Sequence, residues 1–270
     1  MSARVVLIFL LAFLLSPVSA SADPAIVRSV AAPGDTVPAF GYDWSLALQR
    51  DSDGLMNTSI LGTKKGVEAY RIPLEIGSGA LVWAELDGDP KSGPELVFVP
   101  DPQGSGAHVE GILWMTAAGT FVELGFNGTG GVVIQDADGD GVAEIVTGIY
   151  LGWGSNASAA RPVWVLALRD GGLRDVTSKH PMLLKAEVDA LQPRLDSMLV
   201  DPRCGDDEQV AVLADLATYG AYAALQTLGR AQAMRIWGAN NPCIAGFEAV
   251  KRIEASLENE RKNLKAPTGR

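Results

Sequence analysis

The chain of 270 residues carries 32 Asp and Glu against 22 Lys and Arg, a formal charge of −10, and 47% of its residues are hydrophobic. So acidic a balance argues against the basic surfaces that hold nucleic acid or anionic membranes, and it suits a metal cation instead. The length allows one large domain or two modest ones, each with a hydrophobic core.

In chain order, residues 1–22 read as a secretory signal peptide: Arg4, an apolar run from Val5 to Leu15, then small residues around Ala20 and Ala22. The run is shorter than the roughly 20 apolar residues that span a bilayer, and no Cys follows it to accept a lipid. The expectation is an exported protein, periplasmic or extracellular, that is not integral to a membrane after processing. Residues 23–39 read as a linker. From 40 to 180 the chain is rich in Gly, Val, Ile and Trp with frequent turn signals; after a boundary at 178–182 it turns to Ala, Leu, Glu, Arg and helical spacing. The fold class expected is therefore a mainly β N-terminal part followed by an α-helical C-terminal domain, 181–270.

Two segments of the β part align: "GALVWAELDGDPKSGPELVFV" with "GGVVIQDADGDGVAEIVTG". Glu85 meets Asp136, Asp87 meets Asp138, Asp89 meets Asp140 and, after two extra residues in the first copy, Glu95 meets Glu144. Downstream, "LWMTAAGTFVEL" matches "WVLALRDGGLRDV" as strand, Gly-containing turn, strand. The copies cover about 79–128 and 129–178. Each reads as four short strands: 80–86, 95–99, 109–116 and 121–124, then 132–136, 143–151, 162–169 and 173–176. Residues 42–76 give three more strand-turn-strand signals, with Asp51, Asp53 and Gly54 at a turn.

Four antiparallel strands per repeat of about 50 residues is the pattern of a propeller blade, and with two copies either the array is partial and open or the upstream segment and the helices close it. The acidic stretch Asp136-x-Asp138-x-Asp140-Gly141-x-x-Glu144, followed by Ile145-Val146, resembles the calcium loop of the FG-GAP/VCBS repeats of integrin-α-type propellers. The resemblance covers roughly 79–177. The first copy departs from the pattern with Glu85 at the first ligand position, Pro90 in place of Gly, and two inserted residues.

The loop chemistry stands beside that resemblance. Ca2+ takes six to eight oxygen ligands, and alternate residues of a tight loop can turn three carboxylates inward. Asp136, Asp138 and Asp140 are so spaced, a carbonyl near Val142 can join them, and Glu144 closes the set from the next strand; Glu85, Asp87, Asp89 and Glu95 are the matching candidates in the first copy. Two other readings compete: an acidic hairpin turn that binds nothing, and an EF-hand, which wants Glu at position 12, where Thr147 stands, and helices in place of these β-rich flanks.

Other chemistry is thin. His108 and His180 lie far apart without metal-ligand spacing and read as surface or boundary residues. Trp83, Trp114, Trp153 and Trp164 read as blade core, with Trp153 the candidate for exposure as part of a sugar-binding face. Past 180, Leu184, Val188, Leu191, Leu195 and Met198, then Leu213, Leu216, Gly220, Ala224 and Leu228, then Ile244, Phe247, Val250, Ile253 and Leu257 mark helical packing stripes. Cys204 and Cys243 are expected to pair in an oxidising compartment. Two functions follow: a non-catalytic exported calcium-binding module for a protein or glycan, or a secreted polysaccharide hydrolase or lyase using loop carboxylates beside Trp platforms.

Overall fold

Three tight hairpins set the local geometry. In a computed structural model of the chain, Phe40-Gly41, Lys65-Gly66 and Asp170-Gly171 each join two strands with both central residues at positive φ, between 53° and 77°. That is the type I′ combination, whose twist matches that of the flanking strands, and it places Gly where a Cβ would be strained. The structure describes residues 26–30, 35–50, 56–74, 78–89, 91, 93–102, 108–115, 121–149, 151, 161–187, 189, 218–240, 246–264 and 268–269. The signal-peptide, Trp153 and cysteine expectations fall outside these residues.

Strands β2 (Val37–Ala39), β3 (Tyr42–Arg50), β4 (Met56–Lys64) and β5 (Val67–Leu74) form an antiparallel meander, a sheet of their own. The second sheet holds β1 (Ile26–Val30), β6 (Gly79–Ala84), β7 (Glu95–Pro100), β8 (His108–Met115), β9 (Phe121–Gln135), β10 (Glu144–Ile149), β11 (Val163–Arg169) and β12 (Gly172–Asp175), in the order β1-β6-β7-β8-β9-β10-β11-β12. A short β13 (Thr268–Gly269) adds to β9 at Val122 and Glu123. The path stays open between β1 and β12, so no closed propeller forms among the described residues.

The sequence predicts two separate strands, 121–124 and 132–136, where the structure has one. Strand β9 runs unbroken through "GFNGTGG", pairing with β8 from Phe121 to Thr129 and with β10 from Gly128 to Gln135. The Gly-rich run is a bulge and not a loop. Gly130 and Gly131 stand at φ 78° and 94°, and the register with β10 jumps from Val132 to Thr129. Thr147 bridges the jump by donating its hydroxyl to the Gly131 carbonyl at 2.7 Å. A bulge of this kind keeps the ladder going while it bends the strand.

Alternation along the strands divides the core in two. Leu81, Leu96, Phe98, Leu113, Met115 and Phe121 pack on Val37, Trp44, Leu46, Ile60 and Leu74 of the N-terminal sheet. The opposite faces of the same strands, with Val82, Ala84, Val97, Val99, Ile112, Leu124 and Phe126, join β10–β12 and the helices in the larger cluster. Strands β7 and β11 are covered on both faces, which explains why each reads as a nearly continuous apolar run. Trp164 is fully buried, 6.5 Å and edge-on from Phe126, and Trp114 packs against the same cluster, so both are core as expected.

Helices follow β12 after a 3₁₀ turn at Thr177–Lys179: α1 (181–187), α2 (218–227), α3 (Arg230–Asn240) and α4 (Gly246–Asn263). Leu184, Ala224, Val250, Ile253 and Leu257 of the expected stripes are buried, but Leu228 is 68% exposed. It sits at the end of α2, where its N–H and that of Gly229 both reach the Ala224 carbonyl at 2.7 Å. Gly229 adopts φ 87° and starts a new helix that the stripe did not predict. Polar ties fix the helices to the strands: Glu187 accepts the Val163 N–H at 2.8 Å, Asn127 donates to Glu260 at 2.9 Å, and Arg261 pairs with Asp175 at 2.6 Å. Asn127 is thus partly buried and engaged. No helix among the described residues is long and apolar enough to cross a membrane.

Candidate metal centre

The two acidic loops are the connections β6–β7 and β9–β10, and they are built alike. Ala84 faces Glu95 across the first hairpin and Gln135 faces Glu144 across the second, the positions the sequence alignment equates. An EF-hand needs helices where these strands stand, so that reading is overturned.

Inside the loops the hydrogen bonds match pair by pair. Glu85 accepts the Gly88 N–H at 2.9 Å, as Asp136 accepts that of Gly139 at 2.7 Å. Asp87 accepts from Asp89 at 2.7 Å and Asp138 from Asp140 at 3.2 Å. Asp89 accepts from Lys91 at 2.9 Å and Asp140 from Val142 at 2.8 Å. The closing glutamates reach back to the loop start: Glu95 to the Leu86 N–H at 2.9 Å, Glu144 to the Ala137 N–H at 3.0 Å. Gly88 and Gly139 both adopt positive φ, 72° and 81°, which lets each chain turn under its first carboxylate. Asp136 also gathers Gly141, at 2.8 Å, and Asp140, at 3.1 Å. The Asx-type turns among these bonds fix the Asp carboxylates against the loop backbone.

The loops lie side by side. The Ala143 N–H donates to the Glu85 carbonyl at 2.6 Å, and Arg169 reaches the Leu86 carbonyl at 3.4 Å. Carboxylate oxygens of Glu85, Asp87 and Glu95 fall within 4.8 Å of one another, as do those of Asp136, Asp138 and Asp140. Asp89 is not part of the first group. Glu144 is drawn instead into a third group, with Asp138 and a ring nitrogen of His180.

His180 stands at the boundary between the β part and the helices, as the sequence suggests, but it is not a surface residue. It is 4% exposed, and its Nδ1 is buried without a hydrogen-bond partner. The turn at Thr177–Lys179 delivers it: Thr177 is held by Asp175 and Val165, and the His180 N–H bonds the Thr177 carbonyl at 3.0 Å. Nothing in local spacing pointed to His180, because the contact spans the whole of β10–β12.

Electrostatics mark these sites as short of positive charge. Burial pushes Glu144 up to about 7 against the Ala137 N–H, with Asp138, Asp140 and Asp136 adding repulsion. Glu95 rises to about 7 for the same reasons, with Asp87 and Glu85 as its neighbours. Glu85 is raised by burial, then by Asp87 and Asp89. Burial lowers His180, and Asp138 and Asp140 oppose that shift. A cation in either loop would relieve the repulsion, so the donors present fit one.

A second feature is a groove of about 410 Å³ lined by Pro38–Asp43, Thr63–Lys65 and Trp83. Lys64 lies 5.3 Å from the Tyr42 ring centre there, and the Trp83 indole N–H is held by the Pro94 carbonyl at 3.0 Å. Compared with known families, curated proteins and solved structures, the chain finds no match.

Proposed function

We propose that the protein is a non-catalytic, exported binding module whose β part is built from two FG-GAP/VCBS-like repeats, joined edge to edge through β9 in one open sheet and stabilised by Ca2+. The observation that carries this reading is the pairwise identity of carboxylate hydrogen bonds in the two acidic loops, on hairpins of equivalent register. The N-terminal meander, of four strands, is a separate sheet of blade-like size. Calcium binds at Asp136, Asp138, Asp140, the Val142 carbonyl and Glu144, and with fewer matching donors at Glu85, Asp87 and Glu95. Because ligation consumes these carboxylates, they hold strand to strand and do no acid/base chemistry. The ligand is a protein or glycan, and the groove beside Tyr42 and Trp83 offers aromatic edges and two lysines for it. Among its described lining residues that groove has one carboxylate, Asp43, whereas the hydrolase form of the alternative, a polysaccharide hydrolase or lyase, works with two.

Thermal unfolding with Ca2+ and with chelator tests the reading, beside Asp138→Ala and Asp87→Ala. A rise in Tm with Ca2+ that Asp138→Ala abolishes is the expected result, and the Asp87 variant reports on the first loop. An unchanged Tm in every pair would reduce both loops to acidic turns.

A further inference from the structure

The two loops share one inner pair of carboxylates but differ in the third donor beside it. Asp87 and Glu95 in the first loop correspond to Asp138 and Glu144 in the second. The first pair is completed by an oxygen donor, Glu85; the second is completed by a nitrogen donor, His180. Ca2+ selects oxygen ligands, whereas imidazole nitrogen together with carboxylate suits first-row transition cations.

We propose that Asp138, Glu144 and His180 form a site for a divalent transition cation of the Zn2+ class, distinct in preference from the all-oxygen group at Glu85, Asp87 and Glu95. The proposal rests on the reading of the 136–144 loop as a cation site and changes which cation its inner face takes. The buried His180 Nδ1 has no hydrogen-bond partner, an arrangement that is costly in a protein interior unless something occupies it. The backbone that carries the imidazole is fixed without an ion, since it is held by the Thr177–Lys179 turn and Leu183 donates to its carbonyl at 3.1 Å. Donor atoms around a tetrahedral Zn2+ sit roughly 3.3 Å apart. The trio, whose donor atoms lie within 4.8 Å of one another, reaches that by side-chain rotations on the order of 1 Å. Asp138 belongs to both the outer trio with Asp136 and Asp140 and the inner trio with His180, so the loop presents a hard face outward and a borderline face inward.

The chain has two histidines, which makes the test direct. Chelator-stripped protein is titrated with Co2+, a spectroscopic stand-in for Zn2+, while the ring proton resonances are followed by NMR and assigned with His108→Gln. Zn2+ affinity is then measured by calorimetry for the wild type, His180→Asn and, as a surface control on α4 outside both loops, Glu258→Gln. The expected result is that one equivalent of Co2+ displaces the His180 resonances alone. His180→Asn lowers Zn2+ affinity at least tenfold, and Glu258→Gln leaves it within threefold. Co2+ that leaves the His180 ring unmoved, or equal Zn2+ affinity in His180→Asn, overturns the proposal. Should His180→Asn fail to fold, the wild-type His180 resonances decide it. A Ca2+ rise in Tm without any His180 response refutes this site and leaves the calcium reading intact; a His180-dependent Co2+ response without a Ca2+ effect does the reverse.

Discussion

Replacing Glu187 with Gln should stabilise the protein above neutral pH and leave it nearly unchanged in acid. The Glu187 carboxylate, on α1, accepts the Val163 N–H at the start of β11, and burial pushes it up to about 7 from the ordinary 4.5, against that hydrogen bond. A group whose pKa is higher folded than unfolded favours the folded state while protonated, and the advantage disappears as pH rises through the folded value. A tenfold difference in proton affinity between the two states is worth roughly 1.4 kcal/mol, so keeping the charged form in place costs on the order of 3 kcal/mol by pH 8. Gln is neutral throughout and offers an oxygen to the same N–H. Urea unfolding of both proteins at half-unit steps from pH 4.5 to 8 reads the difference directly. It should stay small at pH 4.5, grow through pH 5 to 7, and level off at about 2–3 kcal/mol in favour of Glu187→Gln. Glu95 and Glu144 titrate in both proteins and cancel. A difference that does not vary with pH would refute the burial of this carboxyl.

Two glycines separate backbone strain from steric clash. Gly66→Ala meets nothing within 4 Å at φ 76° and should cost about 1 kcal/mol, whereas Gly79→Ala places a Cβ 2.4 Å from the Val99 carbonyl and should cost several, both read by urea unfolding. Trp164→Ala empties the centre of the larger cluster and should cost about 3–5 kcal/mol in the same assay. Arg261→Met removes the partner of an Asp175 side chain that is 5% exposed; Thr177 still bonds that carboxylate, so the expected loss is about 1–2 kcal/mol, with faster amide exchange along α4.

What the sequence disclosed follows from the range of each signal. The acidic loops were legible because their donors lie within a dozen residues, and the Asp170-Gly171 hairpin because two adjacent residues define it. The apolar strands β7 and β11 declared themselves for the same reason. Strand β9 did not, since a Gly-rich run reads equally as a loop or a bulge until the partners on both sides are known. Helix α3 was hidden because it begins at a glycine placed by the carbonyl of Ala224. His180 was the largest omission. Its place beside Asp138 is set by β10, β11, β12 and a turn, and a lone histidine carries no periodicity to announce such a contact.

Strand β9 also bears on how the protein comes apart. Because its middle residues, Gly128 and Thr129, are hydrogen-bonded to β8 on one side and β10 on the other, neither acidic hairpin belongs to a sheet that is complete without it. The halves therefore have no seam along which one could melt while the other survives. Calorimetry should record a single endotherm for both, and slow-exchanging amides before and after the bulge should report one common opening energy, so that damage in either half is felt by the whole sheet.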